Sequence, residues 1–111
     1  MPIKKIKFII KEDFEKEEDY KIACKIQQRR LQILVHSYIY YELNTNVVDD
    51  NTWSTWGREL GILQDSFPDI AKKVPYDKMF KGFDGSTGMN LKYDTWIKNK
   101  AQQLLKYRIS V

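Results

Sequence analysis

The chain has 111 residues, 42% hydrophobic, 31% charged and 14% aromatic. That is the composition of a single globular domain, 1–111, too apolar for wholesale disorder and too short for a second core. One cysteine, Cys24, excludes an internal disulfide. With one histidine, His36, it falls short of the about four nitrogen and sulfur ligands a zinc site needs.

The net charge of +4 is unevenly spread. Residues 1–30 carry nine basic and six acidic groups, residues 31–90 five and eight, and residues 91–111 five and one. Basic ends flank an acidic middle, so a polyanion would be drawn to the ends. The apolar run near the start is only Phe8 to Ile10, against the about 7–15 residues of a secretory h-region. No stretch reaches the about 18 apolar residues of a membrane span. The expectation is a cytoplasmic protein with no membrane partner.

Ile3, Ile6, Phe8 and Ile10 alternate among lysines and predict a short strand. Tyr107-Arg108-Ile109-Ser110-Val111 alternates too, so the two ends either pair as a two-stranded β ribbon or fray. A long helix is predicted over 12–43, its start favoured by acidic groups. Ile22, Ile26, Ile33 and Tyr40 mark one stripe of it, and Leu31, Leu34, Val35, Tyr38 and Leu43 the neighbouring one. An apolar arc so wide needs partners on more than one side.

Asn44-Thr45-Asn46 breaks this helix, and Asp49-Asp50-Asn51 offers N-caps for a second over 50–66. Trp53, Trp56, Leu60, Leu63 and Phe67 line its apolar face, and Pro68 stops it. Two consecutive antiparallel helices joined by a short loop are the expected arrangement. A short helix is predicted over 75–80, with proline in its first turn. Gly82, Gly85 and Gly88 then mark a loop, and a last helix over 94–106 is capped by Asp94. The fold class is mainly α: a helical hairpin plus a C-terminal helix. The expected core is Ile22, Ile26, Leu34, Tyr38, Trp56, Leu60, Leu63, Ile97 and Leu104.

Few residues carry recognisable chemistry. The glycine loop lacks the Gly-Lys-Ser/Thr of a phosphate-binding loop. His36 precedes a hydroxyl, Ser37, yet a catalytic triad is a spatial arrangement that adjacency does not supply. Cys24 reads as a small buried hydrophobe. The densest segment is Tyr38-Ile39-Tyr40-Tyr41 followed by Asp49-Asp50, Trp53 and Trp56. Its rings either pack on one another as plain core or form a slot for a flat ring, with carboxylates to accept hydrogen bonds.

Arg30-Leu31 through Phe67-Pro68-Asp69 resembles the N-terminal helical domain of bacterial NAD-dependent DNA ligases, the Ia domain. There a helix ends in a tyrosine–histidine pair, and a loop leads to an aspartate, with a tyrosine–aspartate pair three residues on. The resemblance implies a slot for nicotinamide mononucleotide or NAD. Tyr40 matches the first tyrosine and Asp50 the first aspartate. Trp53 replaces the second tyrosine, Tyr41 the histidine and Ser54 the second aspartate. The whole chain also resembles short ligase-related proteins of phages and prophages of Gram-positive bacteria, through Ile33-Leu34-Val35-His36-Ser37-Tyr38 and Phe83-Asp84-Gly85-Ser86-Thr87-Gly88. Ligation itself is not expected. The ligase nucleophile lies in Lys-Xaa-Asp-Gly, and Lys81-Gly82-Phe83-Asp84-Gly85 has one residue too many.

Three functions follow as expectations. The leading one is a non-catalytic protein that occupies the surface of a host protein, in the manner of a phage inhibitor of a host defence nuclease, an anti-CRISPR. Tyr40, Tyr41 and Trp53 with Lys98, Lys100 and Lys106 would be its contacts, and a charge of +4 argues against mimicry of a DNA duplex. The second is a nicotinamide-nucleotide binding accessory using Tyr40, Tyr41, Asp50, Trp53 and Ser54. The third is nucleic-acid binding through the basic termini. None requires a cofactor or a metal, and none is an enzyme.

Overall fold

A computed structural model describes residues 7–83 and 91–107. The described residues form four helices: α1 (Glu17–Glu42), α2 (Asp50–Ser66), the single turn α3 (Pro68–Ala71) and α4 (Thr95–Tyr107). Two 3-10 turns, Lys11–Asp13 and Asp77–Phe80, complete the described elements. The mainly α fold class holds, and no strand occurs among the described residues.

The long helix starts later than its charge pattern predicts. Lys11–Asp13 forms a separate turn, closed when the Asp13 carboxylate accepts the Ile10 N–H at 3.1 Å. Phe14 and Lys16 are then extended, and α1 begins with Glu17, Glu18 and Asp19 in its first turn, where the dipole favours them. No strand forms over residues 7–10. Ile9 points inward and Ile10 is exposed, and the Ile9 N–H donates to Gln27 of α1 at 3.0 Å. The proposed ribbon otherwise lies outside the described residues, except that Tyr107 belongs to α4.

Every residue from Gln32 to Ser37 is buried, so α1 is covered on more than one side. α2 runs antiparallel to it. Arg30 meets Gln64, and seven positions later Ser37 meets Trp53, so the partner moves back along α2 as α1 advances. α4 lays Ile97, Ala101 and Leu104 on α1 at helical spacing. Asp94 starts α4 as expected, its Oδ1 accepting the Ile97 N–H at 2.9 Å, while its Oδ2 accepts the Tyr76 hydroxyl at 2.9 Å.

Of the expected core, Ile26, Leu34, Leu60, Ile97 and Leu104 are buried, and Ile22, Tyr38, Trp56 and Leu63 are only partly so. Ile33, Val35, Ile39, Val74 and Phe80 join the interior instead, because α4 and the segment after α3 cover flanks of α1 beyond the hairpin. Pro68 ends α2 and also opens α3, its missing N–H being an unbonded position there anyway. The expected helix over 75–80 shrinks to a 3-10 turn, since Tyr76 takes a left-handed conformation (φ 72°) directly before it.

That segment is held by Arg30, which is 1% exposed. Its Nε donates to Gln64 at 2.8 Å, its Nη1 to the carbonyls of Ala71, Val74 and Pro75 at 3.0–3.2 Å, and its Nη2 to Asp77 at 3.4 Å. Burial lowers its pKa to about 10, against the pull of Asp77, so it stays charged at neutral pH.

Candidate ligand-binding site

The last turns of α1 and the first turn of α2 face each other across the loop 43–49 and enclose a cavity of about 330 Å³. Positions 36, 37, 40 and 41 share one face of α1, as spacing by four dictates, and supply His36, Ser37, Tyr40 and Tyr41. Asp50, Trp53 and Ser54 share the facing side of α2 by the same rule. Asn46, Val47, Val48 and Asp49 close the end. All five residues expected to form a ligase-like slot, Tyr40, Tyr41, Asp50, Trp53 and Ser54, therefore line one cavity.

Local interactions fix these walls. Asn44, at φ 52°, ends α1 in the left-handed conformation that reverses the chain, and the Thr45 N–H returns to the Ile39 carbonyl at 3.3 Å. Asp49 caps α2, its Oδ1 accepting the Thr52 N–H at 2.7 Å, and hydrogen bonding from the Thr52 side chain, then from its backbone, holds the carboxyl below the usual range. The Trp53 indole N–H donates to Ser37 Oγ at 3.1 Å, which sets the plane of the ring. Tyr40 and Tyr41 meet edge to face at 5.0 Å, with Tyr40 53% exposed and Tyr41 38%. A shallower hollow of about 450 Å³ adjoins the first, sharing Tyr40, Tyr41 and Asn46 and adding Asn44 and Thr45.

His36 differs from the other wall residues. It is 4% exposed, its ring lies 5.2 Å from that of Trp56, and neither ring nitrogen has a hydrogen-bond partner. Burial lowers its pKa to about 4, so it is neutral at physiological pH. Ser37 is not activated by it, since the imidazole makes no hydrogen bond to the hydroxyl. Among the described residues no cluster of three histidine, cysteine or acidic side chains is arranged to hold a metal.

The other aromatic residues of the segment leave the cavity. Tyr38 turns to the opposite flank of α1, edge to face with Tyr93 at 5.2 Å, and Ile39 enters the core. Burial, reinforced by Glu42 and Tyr41, pushes the Tyr93 hydroxyl up to about 12. Lys98, Lys100 and Lys106 are exposed on α4, and none lines the cavity. Lys100 lies over the Trp96 ring at 5.8 Å and Lys106 over that of Tyr107 at 5.3 Å. Cys24 is half-buried against the core. Most of the glycine loop and the extreme termini, and with them Asp84 to Gly88 and Arg108, lie outside the described residues.

Sequence reasoning missed His36 and Ser37 as wall residues. The signal was present: each lies one helical turn before Tyr40 or Tyr41 and must share their face. No helix is long and apolar enough to cross a membrane among the described residues. Compared with known proteins, the chain matches no family model, no curated protein and no solved structure.

Proposed function

We propose that this chain is a non-catalytic binding module whose α1–α2 cavity takes the flat ring of a nicotinamide-type ligand. The observation that carries this reading is the convergence of Tyr40, Tyr41, Asp50, Trp53 and Ser54 on one cavity of about 330 Å³. Ligand sites of this size are concave, largely aromatic and furnished with a few oriented polar groups. Trp53 is held by Ser37 in a fixed plane, and a fixed plane is what stacking on a ring requires.

Titration calorimetry with nicotinamide and its ribosyl derivatives at millimolar concentration tests the reading. Binding is expected, weakened by about 1 kcal/mol or more in Trp53→Ala. No heat with any of them, and no shift in melting temperature, would dispose of it.

A second reading keeps the chain as a protein that blocks a host surface, such as a phage-encoded inhibitor of a defence nuclease in the bacterial cytoplasm. It is favoured by the exposure of Tyr40 and Tyr41 at the cavity mouth, since half-exposed tyrosines are common anchors at interfaces. Near-stoichiometric recovery of one host protein on a tagged chain, resistant to nuclease, is its expected signature. Recovery that vanishes on nuclease treatment would turn the assignment to nucleic acid.

A further inference from the structure

We propose that the α1–α2 cavity selects a cationic ring without a phosphate, a pyridinium nucleoside, over the phosphorylated nucleotide. The inference rests on the ring-binding reading above and fixes the charge class of the ligand.

The charges around the cavity are one-sided. Its acidic wall residues are Asp49 and Asp50, and no described residue lining it is lysine or arginine. The described residues lining the adjoining hollow likewise include no lysine or arginine, and the groups it adds, Asn44 and Thr45, are neutral donors and acceptors suited to sugar hydroxyls. His36 contributes no positive charge, because burial keeps its imidazole neutral. Tyr40, Tyr41 and Trp53 supply aromatic surface, and aromatic rings beside carboxylates are the surroundings that attract a flat cation.

One feature of opposite sign is present, and it is the weaker. The N-terminus of α2 opens on the cavity with a macrodipole equivalent to roughly half a positive charge. The Asp49 side chain already accepts the Thr52 N–H there, and two full negative charges outweigh the remainder. A phosphate bearing roughly −1.5 to −2 near neutral pH would therefore meet repulsion with no lining cation to hold it. The unpartnered His36 separates this place from a merely acidic helix start. A buried imidazole without a hydrogen bond is unfavourable for folding, which fits a wall shaped for something other than the fold.

The test compares nicotinamide riboside with nicotinamide mononucleotide by calorimetry on the full chain, at low and at moderate salt, in the wild type and in Asp50→Asn. The asparagine keeps the shape and removes the charge, and an unchanged melting temperature establishes that the variant is folded. The riboside is expected to bind about tenfold tighter at low salt, from Coulomb repulsion across several ångströms of wet cavity. That preference should shrink several-fold in Asp50→Asn and with added salt. Equal or tighter binding of the mononucleotide overturns the selection and leaves the ring-binding reading standing. A preference that Asp50→Asn leaves intact also overturns it, because the carboxylates then do not set it. Binding of neither ligand removes both.

Discussion

Arg30 and His36 lie six positions apart on α1, both almost wholly buried, and their surroundings are opposite. Each of the three guanidinium nitrogens of Arg30 has an acceptor, drawn from α2, α3 and the turn after it. Neither imidazole nitrogen of His36 has one. A buried polar group with a full set of partners ties elements together, and a buried group with none detracts from stability. One end of the hairpin is thus built as a clasp. The other is built as a cavity, with carboxylates, a fixed indole and an unsatisfied ring.

Breaking the clasp should have the largest effect. Arg30→Met keeps the stem and removes the charge, taking the guanidinium donor from the carbonyls of Ala71, Val74 and Pro75 and the cation from Asp77. A loss of about 3–5 kcal/mol is expected in urea denaturation, the range for breaking a buried charged network from one side. A loss under about 1 kcal/mol would mean that water replaces the guanidinium, and the clasp would be incidental.

His36 should behave in the reverse sense. Replacing it by leucine removes two orphaned nitrogens, so stability should hold or rise by about 1 kcal/mol while ligand binding weakens. Its pH dependence has a defined sign. The folded pKa of about 4 lies below the ordinary 6.5, so the unfolded chain takes up the proton first. The wild type should be fully stable above pH 6.5 and lose on the order of 2–3 kcal/mol as pH falls from 6.5 towards 4. Subtracting the His36→Leu curve isolates the imidazole from the rest of the pH dependence, that of Asp49 included. Coincident curves would show that the imidazole reaches water.

The wall of the cavity offers a smaller effect. Trp53→Phe retains a ring and loses the N–H that Ser37 accepts, at an expected cost of about 1 kcal/mol in stability. If the indole plane is held for stacking, the loss in ligand affinity should exceed what the same substitution causes at Trp56, which faces His36 outside the lining. Equal losses at both tryptophans would assign Trp53 to the core alone.

The hairpin and its cap were legible because each rests on short-range rules. The Asp49 cap, the helical spacing of Trp53, Leu60 and Leu63, and the Asp94 start all follow from neighbours within a few residues. The clasp was not legible. Nothing near Arg30 in the chain shows that its acceptors are the carbonyls of residues 71, 74 and 75, since backbone acceptors leave no mark on side-chain identity. The split of the first helix was hidden for a related reason. Glu12 and Asp13 suit a helix start as well as Glu17 and Glu18 do, and the Asp13–Ile10 bond with the extended Phe14 and Lys16 separates the turn from the helix. At the cavity, pattern and resemblance brought Tyr40, Asp50 and Trp53 to notice, whereas the orphaned state of His36 depends on what α2 places against it.

The smallest effect belongs to Arg29, the immediate neighbour of Arg30. It reaches α2 as well, its Nε donating to Glu59 at 3.1 Å and its Nη1 to Gln32 at 2.6 Å, and Lys25 approaches the same carboxylate at 3.5 Å. The Glu59 side chain is 36% exposed, however, so water competes for its charge. A double-mutant cycle of Arg29→Met with Glu59→Gln should give a coupling of only about 0.5 kcal/mol, further reduced by salt. The contrast with Arg30 then isolates burial as the variable, because both arginines sit on one helix and both bond to α2. A coupling as large as the loss in Arg30→Met would show that position on the hairpin, rather than desolvation of the partners, gives a polar contact its weight.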